Sequence, residues 1–154
     1  MNTSRAFIAG VVGGAVMSVL LFVGRLLGMD VSIESMMGTM FLEPGTLAFV
    51  VGLVMHLMLS GLIALAYAWG FETITKRASA GLGAAFSVVH VLVAGVVMGA
   101  MIPAVHRLIP EQMAGPGYFL SNHDAMGVAA FVMLHLVFGA IVGAMYAGHV
   151  RARA

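Results

Sequence analysis

The chain has 154 residues, of which 62% are hydrophobic and only 8% are charged, and its mean hydropathy is +1.08. About a quarter of the residues of a soluble domain are charged, so this composition argues against a water-soluble protein and indicates an integral membrane protein. The net charge of +1 argues against a nucleic-acid partner. The absence of cysteine excludes disulfides, thiolate catalysis and cysteine-ligated metal centres.

Four apolar segments are each long enough to cross the membrane as a helix, since about 20 helical residues span ~30 Å of hydrocarbon. They cover roughly residues 6–28, 46–70, 80–105 and 125–148. The first begins like a signal peptide, but its apolar stretch is too long for one, and we interpret it as a retained transmembrane helix. The alternating polarity of barrel strands is absent, so all four segments are predicted to be helices.

The charged residues predict the orientation of these helices. Five of the seven basic residues lie at the termini and between the second and third segments, whereas five of the six acidic residues lie in the other two loops. These are Arg5, Lys76, Arg77, Arg151 and Arg153 on one side, and Asp30, Glu34, Glu43, Glu111 and Asp124 on the other. The positive-inside rule then predicts that both termini are cytoplasmic, in a bacterial inner membrane.

The first outer loop has an apolar pattern of its own. Ile33, Met36, Met37 and Met40 recur at helical spacing, which predicts a short amphipathic helix lying on the outer surface. The methionines would also suit Cu(I), so periplasmic copper handling is a third functional hypothesis, although methionine is equally a common apolar filler.

Two segments of the chain repeat one pattern. Residues 53–67, LVMHLMLSGLIALAY, and residues 132–146, VMLHLVFGAIVGAMY, each carry a histidine within an apolar run, then small residues, and a tyrosine 11 positions after the histidine. The histidines are His56 and His135. Their recurrence indicates an internal repeat.

The repeat leads to a predicted fold. Residues of about 4–72 and about 80–150 each form a helical hairpin, and the two hairpins run parallel around a pseudo-twofold axis along the membrane normal. The chain is therefore predicted to be all-α, a single integral membrane domain over residues 1–154 that forms a four-transmembrane-helix bundle.

An ionisable side chain within the membrane is costly unless it faces the protein interior and finds a partner. His56 and His135 could serve as the axial ligands of a haem b, or bind copper or iron. Gly139, one turn from His135, would make room for a flat ring, and Ser60 shares the face of His56. Arg25 and Arg107, near the outer interface, could pair with the propionates of the haem.

The alternative interpretation needs no cofactor. Neutral histidines that hydrogen-bond to each other, to Ser60 or to a backbone carbonyl would hold the helices together, as buried polar residues do in membrane proteins. The sequence leaves both interpretations open.

His90, on the third segment, could be a third metal ligand. Aligning Gly83 with Gly10 would place His90 opposite Met17 and suggest a Met17, His56, His90 and His135 site, but that alignment needs a larger insertion and ranks second.

A further polar group lies in the second outer loop, where His106, Glu111, His123 and Asp124 could bind zinc or copper. The spacing matches no strong motif, and the preferred interpretation is solvated loop residues with Asp124 capping the fourth helix.

The segments AGVVGGAVMS, GMDVSIESMMG, VMHLMLSGLIALAYA and LHLVFGAIVGAMYA together resemble a family of small bacterial four-span membrane proteins of unassigned function. The resemblance implies a four-helix protein of the bacterial inner membrane and brings no catalytic residues with it. His90, His106 and His123 do not match its pattern.

Two functional hypotheses follow. In the first, the protein is a small redox-associated membrane subunit that holds haem b or a metal and transfers electrons in a larger complex. In the second, it is a non-catalytic accessory or assembly subunit with structural histidines. In both, the lipid bilayer and a larger membrane complex or a homo-oligomer are the expected partners, and no independent catalytic activity is expected. Hydrolase and phosphate-binding motifs are absent.

Overall fold

The computed structural model describes residues 1–106 and 115–151. These residues are almost entirely helical and contain no strand. The α-helices are α1 (Thr3–Leu26), α2 (Ile33–Gly38), α3 (Thr46–Gly70), α4 (Ala80–Val96), α5 (Ile102–Val105) and α6 (Asp124–Arg151). Two π-helical segments, Phe71–Thr75 and Val97–Met101, and a 3₁₀ segment, Tyr118–His123, adjoin them.

Within the described ranges, four helical stretches are long and apolar enough to cross a membrane. They are Thr3–Leu26, Thr46–Thr75, Ala80–Val105 and Tyr118–Val150. The prediction of four helical spans is confirmed, and the chain is a multi-pass membrane protein by the length and composition of these helices.

Two of the spans change helix type along their length. The π-helical segment after α3 ends at Lys76, whose left-handed conformation (φ 54°) stops the helix. In the third span, the π-helical residues Val97–Met101 lie just before Pro103. A proline has no N–H to donate within a helix, so a local change of hydrogen-bond pattern is expected there.

The chain divides into two compact units, which we describe separately. Unit 1 consists of Met1–Met17, Leu57–Val88 and Leu134–Ala154. Its interior is aromatic. The Phe71 and Phe86 rings stack with centroids 5.1 Å apart, and Tyr67 meets Phe138 edge-to-face at 5.7 Å. Such pairs contribute about 0.5–1.5 kcal/mol each beyond their buried area.

Glycines bring the backbones of unit 1 into contact at two places. A Cβ on Gly10 of α1 would lie against the Ser60 carbonyl and 2.6 Å from the Ala64 side chain of α3. A Cβ on Gly83 of α4 would likewise lie against the Gly139 carbonyl of α6. Only glycine permits helices to approach this closely, as at the small-residue interfaces common in membrane proteins.

Unit 2 consists of Ser18–His56 and Val89–Met133. Here α2 packs against the first half of α3, because a side chain on Gly38 would meet the Ala48 carbonyl and one on Gly52 would meet the Glu34 carbonyl. The side chain of Ser32 caps α2 by accepting a hydrogen bond from the Ser35 N–H. These contacts hold α2 against a membrane-spanning helix.

The predicted amphipathic helix therefore exists, but its surroundings differ from the prediction. Glu34, Met36 and Gly38 are its buried residues, so α2 does not present only an apolar stripe to the membrane surface. The spacing of the apolar residues leaves Glu34 on the polar face of α2. In the structure Glu34 is buried, because this part of α2 packs against Gly52 of α3.

Candidate functional site: buried polar groups

His56 lies on α3 in unit 2 and is 8% exposed. Its Nδ1 is 3.0 Å from the Ser18 hydroxyl of α1. From the sequence we expected the hydrogen-bond partner of His56 to be Ser60, a backbone carbonyl or His135. In the structure the partner is Ser18 of the preceding span. Ser60 is buried in unit 1, where its side chain lies against Gly14 of α1.

Arg25 and Glu34 form an ion pair in unit 2. Arg25 Nη1 donates to Glu34 Oε2 at 3.3 Å and to the Val31 carbonyl at 3.3 Å, and the guanidinium lies over the Phe22 and Phe49 rings. Arg25 was predicted to meet a haem propionate. In this structure its charge is balanced by a carboxylate of the protein itself.

Glu34 is completely buried. Its Oε2 also accepts a hydrogen bond from the Ser32 hydroxyl, whereas its Oε1 has no hydrogen-bond partner among the described residues. Arg25, Glu34 and Ser32 thus form one charged and polar group of unit 2.

His106 is the last described residue before the undescribed range, and it is only 2% exposed. Its Nε2 is 3.0 Å from the Met36 carbonyl of α2 and 3.0 Å from the Thr39 hydroxyl. A carbonyl only accepts, so Nε2 carries the proton and donates it. The interpretation of His106 as a solvated loop residue is therefore wrong, because α2 covers the imidazole.

His135, 8% exposed, lies on α6 in unit 1. Its backbone carbonyl accepts a hydrogen bond of 2.7 Å from the Ser87 hydroxyl of α4, and the same hydroxyl lies 3.0 Å from that of Tyr67. Gly139 lies directly against Ser87 and Gly83. The space beside Gly139, which we expected a flat ring to occupy, is filled by α4 in this structure.

The remaining predicted ligands are dispersed or not described. His90 is half-buried on α4. In the range that the structure describes, no three His, Cys, Asp or Glu side chains form a group that could hold a metal ion. Arg107 and Glu111 lie outside the described residues.

Asp124 Oδ1 accepts a hydrogen bond from the Met126 N–H at 2.7 Å, which confirms the predicted role of Asp124 as the cap of the fourth helix.

A polar cluster in unit 1 around Glu72 was not predicted from the sequence. The Tyr146 hydroxyl donates to Glu72 Oε1, the Met1 amino group lies 2.9 Å from Oε2, and His149 Nε2 is 3.4 Å from Oε1. One feature of the sequence could have indicated this cluster: Glu72 is the only acidic residue on the predicted cytoplasmic side.

Comparisons with protein-family models, with curated proteins and with solved structures give no match to this chain.

Proposed function

We propose that the protein is a non-catalytic subunit of a membrane assembly whose buried histidines are structural. The observation that carries this proposal is the pairing of buried polar groups within the protein. His56 with Ser18, Arg25 with Glu34, and His106 with Met36 each join two segments of unit 2. Buried polar groups that hydrogen-bond across helices in this way hold membrane helices in one arrangement.

The glycine contacts support the internal repeat within this proposal. Gly10 meets Ser60 and Ala64, while Gly83 meets Gly139 and its neighbour one turn later, Gly143. Ser60 and Gly139, the first partners of the two glycines, are 79 positions apart in the sequence. The two repeated histidines have the same separation. This favours the alignment of Gly10 with Gly83, ranked second from the sequence, and two equivalent hairpins in a four-helix bundle.

The exposed surface of α4 supports docking onto a partner. The third span is 17% buried over its most apolar window, against 33–39% for the other three. Gly81, Ala85 and Val88 are exposed on α4, and Gly81 has open space around it. Two small residues four positions apart form the kind of surface on which a second transmembrane helix packs closely.

The partner is a second copy of this chain or another membrane protein, and a matched pair of variants tests the docking surface. Ala85→Leu places a larger side chain on the exposed face of α4, whereas Ala66→Leu makes the same change at an exposed alanine of α3. We expect Ala85→Leu to reduce the mass of the assembly extracted in mild detergent, measured by native mass spectrometry, while Ala66→Leu leaves it unchanged. Equal behaviour of both variants, or a monomer in the unmodified protein, would contradict the proposal.

The proposal places both termini in the cytoplasm and the chain in a bacterial inner membrane, on the basis of its charge distribution. Reporter enzymes fused to each terminus test this orientation. Activity of a periplasm-specific reporter at either end would refute it.

The redox hypothesis remains a prediction with its own test. A haem between His56 and His135 requires room beside Gly139, where α4 now lies. Absorption spectra of the purified protein, oxidised and dithionite-reduced, together with metal analysis of the same sample, distinguish the two proposals. A Soret band that disappears in His56→Ala would replace the structural proposal with the redox one, and a colourless, metal-free sample would favour the structural one.

A further inference from the structure

A cavity of about 990 Å³ opens beside the turn between the second and third spans, within unit 1. Its lining comes from the end of the second span, the turn, the start of α4 and the end of α6. The lining residues are Thr75, Lys76, Arg77, Ala78, Ser79, Leu82 and Val150. The lining thus combines two cations and two hydroxyls with apolar side chains, an amphipathic character that none of the polar clusters above shares.

The cations of this cavity are available to a ligand. Arg77 is exposed, and its guanidinium has no hydrogen-bond or ion-pair partner among the described residues. Lys76 donates to the Glu72 backbone carbonyl at 2.9 Å and has no carboxylate partner within the part of the chain that the structure describes. The nearby carboxylate of Glu72 is turned toward the Met1 amino group and Tyr146, so its charge is already compensated.

The backbone adds to the positive potential at the cavity. α4 begins at Ala80, and the Ser79 hydroxyl accepts a hydrogen bond from the Leu82 N–H. A helix N-terminus carries a partial positive charge and exposes N–H groups that favour anions. Close contact between the Ser79 carbonyl and Gly143 holds this helix start against α6.

The depth of the cavity is that of lipid headgroups. One membrane-spanning helix ends at Thr75 and the next begins at Ala80, so the short turn between them lies where the hydrocarbon ends. Trp69, 58% exposed near the end of α3, is an amphipathic side chain of the type enriched at the membrane interface. Basic pockets between transmembrane helices at this depth bind anionic headgroups.

We propose that this cavity binds an anionic phospholipid, with the headgroup phosphate between Lys76, Arg77 and the start of α4, and with an acyl chain along Leu82 and Val150. The phosphate meets two positive side chains and the Ser79 hydroxyl, while the apolar wall continues into the hydrocarbon. A zwitterionic lipid of the same acyl composition has a cationic group that these residues repel, so the site discriminates by headgroup charge.

Native mass spectrometry of the full chain in detergent tests the proposal. Dioleoylphosphatidylglycerol and dioleoylphosphatidylcholine, which share their acyl chains, are titrated onto the unmodified protein and onto K76Q/R77Q. Each basic residue near an anionic headgroup contributes about 1 kcal/mol, so the double variant should bind phosphatidylglycerol about 25- to 30-fold more weakly. Arg5→Gln is the charge control, because Arg5 does not line the cavity.

Two additional experiments distinguish lipid binding in this cavity from general attraction to surface charge. Val150→Trp fills the apolar side of the cavity without changing charge and should also weaken phosphatidylglycerol binding, with circular dichroism verifying that the helices are intact. Inorganic phosphate at millimolar concentration should not displace the lipid, since it has no acyl chain.

The proposal is overturned by equal binding of the two lipids, by equal losses in Arg5→Gln and K76Q/R77Q, or by displacement of the lipid by inorganic phosphate. Unchanged binding in a folded Val150→Trp protein would likewise refute the assignment to this cavity.

Discussion

Replacing Gly83 by alanine tests a close helix contact in unit 1. The new Cβ would lie 2.7 Å from the Gly139 carbonyl carbon and 3.1 Å from the Gly143 Cα, and still closer to the Gly139 oxygen. These are backbone atoms, which cannot turn aside as a side chain can. The α4 and α6 helices must separate, and the Ser87 hydrogen bond to the His135 carbonyl, now 2.7 Å, must stretch.

The magnitude follows from two opposing effects. Overpacking of a close contact costs about 1–3 kcal/mol, while alanine in place of glycine within a helix stabilises it by about 1 kcal/mol. Gly81→Ala measures the second effect when both variants are compared as monomers dissociated in detergent, because Gly81 is in the same helix with nothing within 4 Å of its Cβ position and no docked partner then covers it. The difference between the two variants therefore isolates the cost of the clash.

Thermal unfolding in detergent, followed by circular dichroism, provides the assay. We expect Gly81→Ala to melt at or above the unmodified protein, and Gly83→Ala to melt below Gly81→Ala by about 2–4 °C for each kcal/mol of difference. If the two variants melted together, the close approach of α4 and α6 at Gly83 would be wrong, and with it the equivalence of Gly83 and Gly10.

Three further predictions concern the buried polar groups, each measured by unfolding or exchange in detergent. Arg25→Met should destabilise the protein by about 3 kcal/mol, because it leaves the buried carboxylate of Glu34 uncompensated. Glu34→Gln should cost less, because the guanidinium that it leaves uncompensated is 23% exposed whereas the carboxylate is 1% exposed; the reverse order would contradict the burial of Glu34. Ser18→Ala should cost about 1–3 kcal/mol by removing the hydroxyl that pairs with a buried histidine, and no change in stability would mean that another group or water replaces it. His106→Ala should increase the rate of amide hydrogen exchange selectively in α2, since the imidazole donates to a carbonyl of that helix. An equal increase in all helices would contradict the role of His106 in holding α2.

Hydropathy predicted the spans well because lipid leaves the backbone few alternatives. A segment in hydrocarbon must satisfy its own N–H and C=O groups, so composition and length suffice to identify a helix. The predicted 46–70 and 80–105 agree closely with Thr46–Thr75 and Ala80–Val105. The first span begins at Thr3 and the fourth at Tyr118, both before the predicted starts, because polar residues at helix ends carry little hydropathy signal.

The spacing of the histidines and tyrosines predicts an internal repeat, and both the histidine alignment and the alignment of Gly10 with Gly83 remain predictions. Helix packing in membranes depends on where small residues allow backbones to touch. The glycines at 10 and 83 make such contacts, and these contacts support the alignment of Gly10 with Gly83 in the proposed repeat.

Composition and charge alone establish four segments long and apolar enough to cross a membrane as helices, loops of unequal charge, and histidines that recur within apolar segments. Only the tertiary structure decided which partner each polar group has. Arg25 meets Glu34 across a turn, and Thr39 meets His106 from 67 positions away. Hydropathy describes each helix separately, whereas a hydrogen bond between two segments depends on how closely their backbones pack. Glycine contacts, such as that of Gly52 with α2, set this distance.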